Sequence, residues 1–214
     1  MPRAGNQSDT HEDYGSDQAK LVYGKVSDGS VVHITTVPSG LACGCTCPGC
    51  GALLVAKKGD QITPHFAHHE GDTCATAPET ALHLLAKQII KERRELKVPE
   101  RVARHMSREE RLGYAKAVTA DVVEDEYRAI DGFVPDIFLI VKDRDGNEHK
   151  LIVEVMVTHA CDEEKIAKIE ATRIAAIEID LSGVPRNAPP EQVEKAVLND
   201  APRLWVYHPA ITEA

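Results

Sequence analysis

The chain has 214 residues, 43% of them hydrophobic, which is enough for one domain of ordinary size and a small appended module. Its formal net charge of -9 and its pI near 5.6 exclude a generic basic coat for nucleic acid, because no overall positive field would hold phosphates. The N-terminus lacks the apolar region of a signal peptide, and no run approaches ~18 apolar residues, so we expect a cytoplasmic protein without a membrane partner.

The first predicted elements are a tail and a β-hairpin. Residues 1–18 are rich in Asp, Ser, Gly and Gln with little to bury, and we predict that they are disordered. The β-rich runs 21–26 and 31–37 flank a turn signal at 27–30, which predicts a hairpin. This hairpin leads directly into a cysteine-rich segment.

Five of the six cysteines lie between Cys43 and Cys74, and such crowding indicates either a disulfide framework or a metal site. In a reducing compartment the metal site is favoured. The candidate ligands, of which we expect four, are Cys47, Cys50, His65, His68 and Cys74. Three cysteines with one of the two histidines match a structural, tetrahedral Zn²⁺ site, and an extended backbone would point His65 and His68 to opposite faces. The alternatives are buried free thiols or an iron–sulfur site that uses Cys43 and Cys45.

The elements after the cysteines predict an α/β fold in which helices flank a sheet. Helical spacing of apolar residues, and a capping box of Ser107 and Glu110, predict helices over residues 78–97, 107–117, 162–173 and 189–198. Alternating and apolar runs predict strands over residues 120–128, 133–141, 149–157, 176–181 and 204–207. From residue 78 the main predicted elements are therefore, in order, a helix, three strands, a helix and a strand.

Two acids, Asp136 and Glu154, lie on the predicted strands around the turn at 143–147. Their mean position is residue 145, so a symmetric hairpin places them opposite one another, with Cβ atoms roughly 5 Å apart. Two carboxylates at that spacing can hold Mg²⁺ or Mn²⁺, which activates water and neutralises charge at a phosphate. The alternative is structural, since Asp136 follows Pro135 and can simply end a strand.

A polar stripe of Glu79, His83 and Lys87 recurs at four-residue spacing on the first predicted helix. Glu79 is a candidate third acid or a charge that favours the helix dipole. His83, and less directly His159, are candidate proton shuttles or hydrogen-bonded structural groups. The segment 87–116 contains ten Lys or Arg and five Glu, so it either guides a phosphate backbone or forms a solvated helix face.

Together these motifs resemble the competence protein CoiA-like family, a branch of the PD-(D/E)XK nuclease superfamily. The resemblance covers about residues 31–182, and its motifs are Cys47-Pro48-x-Cys50, Pro64-His65-Phe66-Ala67-His68, Glu79-x3-His83-x3-Lys87, Pro135-Asp136 and Glu154-x3-Thr158-His159. It implies a restriction-endonuclease-like αβββαβ core behind a small β-hairpin and zinc-knuckle module. It also implies Mg²⁺-dependent cleavage of DNA, with Asp136 and Glu154 as the main acids and Glu79 as the helix acid.

The chain departs from the superfamily pattern at Met156, where a lysine is expected two residues after Glu154. A thioether cannot orient the attacking water or stabilise growing negative charge. Either Lys165 from the next helix, or Lys87, reaches the same space, or the core has lost cleavage and only binds. Lys165 is equally compatible with an ordinary position on a helix surface.

We therefore predict four parts, which are a tail (1–18), a zinc-binding module (19–77), a nuclease-like core (78–182) and a C-terminal extension (183–214). The predicted function is hydrolysis of DNA by metal-activated water. The predicted catalytic residues are Glu79, His83, Asp136, Glu154 and Lys165. The alternatives are an inactive adaptor that binds DNA or protein, or a zinc knuckle that reads a partner while the core serves as scaffold. A homodimer or a protein partner is compatible with these interpretations.

Overall fold

The computed structural model describes residues 20–71, 73–105, 108–125, 132–143 and 145–212. The helices are α1 (Ala77–Arg93), α2 (Glu163–Ala171), α3 (Pro190–Lys195) and α4 (Pro209–Thr212). The first strands are β1 (Tyr23–Lys25), β2 (Val31–His33), β3 (Leu54–Lys57), β4 (His65–His68), β5 (Glu95–Val98) and β6 (Arg101–His105). The remaining strands are β7 (Arg108–Gly113), β8 (Lys116–Asp125), β9 (Ile137–Lys142), β10 (Glu148–Met156), β11 (Ala175–Asp180) and β12 (Arg203–Tyr207). The tail predicted to be disordered lies outside these residues.

Two small hairpins build the N-terminal module. The predicted hairpin is confirmed, since β1 and β2 pair antiparallel across the turn. Strands β3 and β4 form a second antiparallel pair, and single bridges from Thr46 to Lys25 and to Leu53 link the two hairpins. The buried Tyr23 hydroxyl donates to the Ala188 carbonyl at 2.7 Å, which ties the module to the C-terminal part of the chain.

The main sheet has six strands in the order β12-β11-β10-β9-β8-β5. Strands β8, β9 and β10 form an antiparallel meander, while β11 lies parallel to β10 because α2 carries the chain back between them. The mixed α/β class predicted from the sequence is confirmed. The predicted order of helix, three strands, helix and strand is present, with β5 and a β6–β7 hairpin inserted after α1.

Two helix predictions are wrong in the basic segment. The helix predicted to reach residue 97 ends at Arg93, because Arg94 adopts a left-handed conformation (φ 56°) and the chain then enters β5. The helix predicted over 107–117 is replaced by β7 and the start of β8, and Ser107 itself lies outside the described residues. Pairing of β7 with β6 supplies hydrogen bonds across strands that outweigh the local helix propensity of Glu and Arg.

Helices cover both faces of the sheet. On one face, α1 packs its apolar side against inward-pointing residues of β10 and β11, among them Val153, Val155 and Ile177. The opposite face carries a smaller core that includes Ile152 and Ile169, the latter from α2. Because side chains alternate along a strand, Glu154 lies on the face that α2 covers. No helix among the described residues is both long and apolar enough to cross a membrane.

Candidate functional site

The cysteine-rich module brings three predicted ligands together. The ligand atoms of Cys47, Cys50 and His68 lie within 4.8 Å of one another, and Cys50 Sγ is 3.3 Å from His68 Nε2. A tight turn holds the two cysteines, since the Gly51 amide donates to the Cys47 carbonyl. Strand β4 ends at His68 and so presents its imidazole to that turn. These three side chains can hold a metal ion.

Cys74 lies against the same turn and supplies a third sulfur as the fourth candidate ligand. The pKa of its thiol is lowered by a hydrogen bond with Thr76 and also by hydrogen bonds with Cys47 and Cys50. A Cβ atom added to Gly49 would lie 2.8 Å from Cys74 Sγ, so the turn needs glycine for this sulfur to approach. Three sulfurs and one imidazole nitrogen form the donor set typical of structural zinc.

The other candidates in this segment have different partners. His65 lies at the opposite end of β4 from His68, and its Nδ1 is 2.9 Å from the Thr63 carbonyl. The buried Cys43 thiol donates to the Leu54 carbonyl, and the buried Cys45 thiol donates to the Cys43 carbonyl. Both thiols therefore act as hydrogen-bond donors to the backbone. This arrangement does not favour the iron–sulfur alternative, which would require them as thiolate ligands.

The register of β9 and β10 is the one expected for the two acids. Val153 pairs with Ile137, so the next pair outward is Glu154 with Asp136, which stands just before β9. Asp136 Oδ2 accepts the Val155 N–H at 3.0 Å and lies 3.0 Å from His83 Nε2 of α1. The sheet thus holds the Asp136 carboxylate beside Glu154, and α1 contacts it from the side.

Glu154 is a buried acid whose two side-chain oxygens differ in their hydrogen bonding among the described residues. The residue is 1% exposed. Its Oε2 accepts a hydrogen bond of 2.6 Å from Lys165 Nζ of α2. Its Oε1 is one of the two buried side-chain polar atoms without a hydrogen-bond partner among the described residues. Lys165 therefore places a positive charge beside Glu154. Met156, the residue of β10 at the position where a lysine is expected, carries no charge.

The two acids are strongly perturbed in opposite directions. Burial, together with repulsion from Asp136, raises the pKa of Glu154 to about 8 against the opposing effect of Lys165. Burial also acts to raise the pKa of Asp136, but the hydrogen bonds from His83 and the Val155 N–H outweigh it and lower the pKa to about 2. The pKa of Lys165 is raised because its contact with Glu154 outweighs burial. Perturbed, interacting carboxylates of this kind are typical of functional sites.

A cleft of about 270 Å³ opens between α1 and the C-terminal end of β10. Its lining residues are Glu79, Thr80, His83, Val155, Val157, Thr158 and His159. Glu79 and His83 thus line one cavity, as their shared helical face indicates, and His159 lies across from them. They approach from the face that α1 covers, whereas Glu154 and Lys165 lie on the face that α2 covers. Asp136 connects the two groups through its contact with His83 and its interaction with Glu154.

Glu178 is a buried residue beside this site that sequence reasoning missed. It is 7% exposed, pairs in register with Glu154 on the neighbouring parallel strand, and accepts the Cys161 N–H at 2.6 Å. The available signal was an acid flanked directly by the apolar Ile177 and Ile179. A carboxyl group buried at such a position needs a hydrogen-bond partner, which here is the Cys161 N–H.

Comparison with known proteins shows similarity in the cysteine-rich module. Residues 42–77 match the family model of the competence protein CoiA N-terminal domain. A 44-residue segment is 48% identical to the competence protein CoiA of Bacillus subtilis (strain 168), covering 20% of this chain and 12% of that protein. No solved structure matches the chain. The segment that holds Cys47, Cys50, His68 and Cys74 is therefore similar to the N-terminal domain of CoiA.

Proposed function

We propose that this chain is a metal-dependent DNA nuclease of the CoiA family, with a restriction-endonuclease-like core. The observation that carries the proposal is the buried Oε1 of Glu154, which lacks a hydrogen-bond partner among the described residues, in a side chain that interacts with Asp136. The order α1, β8, β9, β10, α2 and β11 supports it, since this is the αβββαβ order of that core. The match of the cysteine-rich module to the CoiA N-terminal domain supports the family assignment.

A divalent cation fits the two acids on electrostatic grounds. An unpartnered carboxylate oxygen in a buried site carries a cost that a hard cation removes. The same charge would offset the repulsion between Glu154 and Asp136. Mg²⁺ and Mn²⁺ suit a site of two carboxylates, because Mg²⁺ in particular keeps several waters and takes substrate phosphate oxygens as further ligands. Glu154 and Asp136 would hold the ion through Oε1 and the carboxylate, respectively.

The protein groups around the acids can each contribute to hydrolysis. When bound, the ion supplies a Lewis acid and a water of lowered pKa. Lys165 brings an ammonium to the place where negative charge grows on the phosphate, and it can orient the attacking water. His83 holds Asp136 in position through the 3.0 Å contact and faces the cleft, where it can carry a proton. Glu79 lies one helical turn before His83 and can bind a water of the same cleft.

Zinc has a separate, structural role in this proposal. The four ligands Cys47, Cys50, His68 and Cys74 would close a tetrahedral shell without an open position. Because the module has only short strands, the metal would supply folding free energy that its small core lacks.

DNA is the proposed partner, and the β6–β7 hairpin is the proposed guide for its backbone. Residues 97–116 contain six Lys or Arg and three Glu in a chain of net charge -9. The hairpin is a separate two-stranded sheet. Arg111 Cζ lies 5.1 Å from the ring centroid of Tyr114, which is 75% exposed. The hairpin therefore presents a positive charge next to an aromatic ring, a combination that binds nucleic-acid strands. Arg111→Ala should weaken DNA binding and lower the slope of log K against log salt by about 1.

The proposal is tested by cleavage of plasmid and single-stranded DNA in Mg²⁺ or Mn²⁺. Asp136→Asn and Glu154→Gln should abolish metal-dependent cutting. The matched control Glu148→Gln, on the exposed end of the same strand β10, should cut normally. Cutting that persists in both site variants would show that a contaminating nuclease or another site is responsible.

A second candidate is an inactive adaptor that binds DNA, and the observation favouring it is Met156 in place of the expected lysine. Lys165→Met separates the two, because a catalytic ammonium should contribute about 10²–10³-fold to the rate of cleavage. Lys168→Met is the control, since Lys168 pairs with Glu164 on the exposed side of α2. An adaptor would bind DNA equally well in all these variants and would cut it in none.

A further inference from the structure

Glu178 shares a face of the sheet with Glu154. The two acids are directly paired on the parallel strands β10 and β11. The neighbours of Glu178 along β11, Ile177 and Ile179, belong to the core on the α1 side, so Glu178 points toward α2. It is 7% exposed and cannot rely on solvent to satisfy its oxygens.

The partner of Glu178 is the segment that leads into α2. Its Oε2 accepts the backbone N–H of Cys161 at 2.6 Å. Burial, followed by the interactions with Glu178, raises the pKa of the Cys161 thiol, so the side chain as well as the amide lies against this carboxylate. Cys161 immediately precedes Asp162, the N-cap of α2. Glu178 therefore fixes the chain one residue before the N-cap of the helix.

The start of α2 in turn determines where Lys165 lies. Asp162 Oδ1 accepts the Lys165 N–H at 2.7 Å, which closes the first turn of the helix. Lys165 Nζ then reaches Glu154 Oε2 at 2.6 Å. A lysine on β10 would be positioned by the sheet itself. The position of a lysine on a helix that follows a connecting segment depends instead on the contacts that hold that segment.

We infer that Glu178 is a positioning residue for Lys165, which holds the first turn of α2 so that the ammonium stays on Glu154. This inference deepens the proposed nuclease function and rests on it for its effect on cleavage. Glu178 acts by accepting one hydrogen bond from the backbone. Its negative charge is not required for this role, whereas an acceptor oxygen at its position is required.

The test uses two substitutions that separate the acceptor from the charge. Glu178→Gln keeps an oxygen for the Cys161 N–H, while Glu178→Ala removes it. Crystal structures of the full-length variants should show the Lys165–Glu154 contact retained in the first and lost in the second. If the contact survives in Glu178→Ala, the inference is wrong, whether or not the protein cleaves DNA. If Glu178→Ala does not fold, Glu178→Gln still decides, because loss of the contact there would overturn the inference.

Cleavage kinetics supply the second readout. Glu178→Gln should cut DNA within about threefold of the unchanged protein, and Glu178→Ala should lose up to about 10²-fold in kcat with KM unchanged, as expected for a misplaced catalytic group. In a Lys165→Ala background, Glu178→Ala should have no further effect, since no ammonium remains to be positioned. Equal losses of kcat in Glu178→Gln and Glu178→Ala would refute the positioning role. A full additional loss of kcat when Glu178→Ala is added to Lys165→Ala would also refute it. Absence of cleavage in the unchanged protein would refute the nuclease proposal and leave the structural comparison as the test.

Discussion

Replacement of Glu154 by glutamine should change how stability depends on pH. In the folded protein the pKa of Glu154 is raised to about 8, so the carboxyl is neutral there at pH values where it ionises in the unfolded chain. Between these two pKa values the unfolded state binds fewer protons than the folded state. The contribution of Glu154 to stability is therefore fully present below pH 4.5 and is lost as pH rises toward 8.

The size of the effect follows from proton linkage. One group that is protonated only in the folded state lowers the free energy of unfolding by about 1.4 kcal/mol per pH unit. Across pH 5 to 8 the loss reaches roughly 4 kcal/mol, which is a large share of the stability of an ordinary domain. Glutamine has nearly the same shape and does not ionise. The stability of Glu154→Gln relative to the unchanged protein should therefore rise steadily over this range.

Urea unfolding of both proteins at several pH values, in buffer free of magnesium and of chelator, measures this difference. Added Mg²⁺ should reduce it at pH 8, because the cation favours the ionised carboxylate of the unchanged protein alone. A stability difference that stays constant from pH 5 to 8 would show that Glu154 is ionised in the folded protein. The electrostatic argument for the acidic site would then fail.

Two further predictions concern the cysteine-rich module. His68→Ala should lose bound zinc, measured as metal content after dialysis, whereas His65→Ala should keep it because His65 contacts the Thr63 carbonyl. Retention of zinc by His68→Ala with loss by His65→Ala would reverse the ligand assignment. Gly49→Ala places a Cβ 2.8 Å from Cys74 Sγ and should lower the free energy of unfolding by roughly 1–3 kcal/mol. Gly183→Ala, whose added Cβ has no atom of the described residues within 4 Å, should leave urea unfolding unchanged. An equal loss in both variants would remove the steric explanation.

Much of the acidic site could be predicted because β-hairpin geometry is regular. The turn between β9 and β10 fixes the sum of paired residue numbers, so the alignment of Asp136 with Glu154 follows from the sequence alone. The shared cleft of Glu79 and His83 follows from helical periodicity in the same way. Both are local rules that depend on spacing along one or two adjacent elements.

The features that were missed depend on contacts between distant parts of the chain. Within the segment predicted as a helix over 107–117, the described residues form β7 and the start of β8, because β6 and β5 are available to pair with them. The bond between Glu178 and Cys161 requires knowledge that β11 lies parallel to β10 and that α2 begins above it. Glu79 and Glu154 lie on opposite faces of the sheet because α1 and α2 pack on opposite faces. The periodicity of a single helix or strand does not specify this packing.

The proposed metal site is tested most directly by locating Mn²⁺ with anomalous diffraction from crystals of the unchanged protein. We expect a manganese peak within coordination distance of Glu154 Oε1 and the Asp136 carboxylate, and the loss of that peak in Glu154→Gln. Manganese bound only elsewhere, or a peak that persists in Glu154→Gln, would contradict the proposal that these two acids hold the catalytic ion.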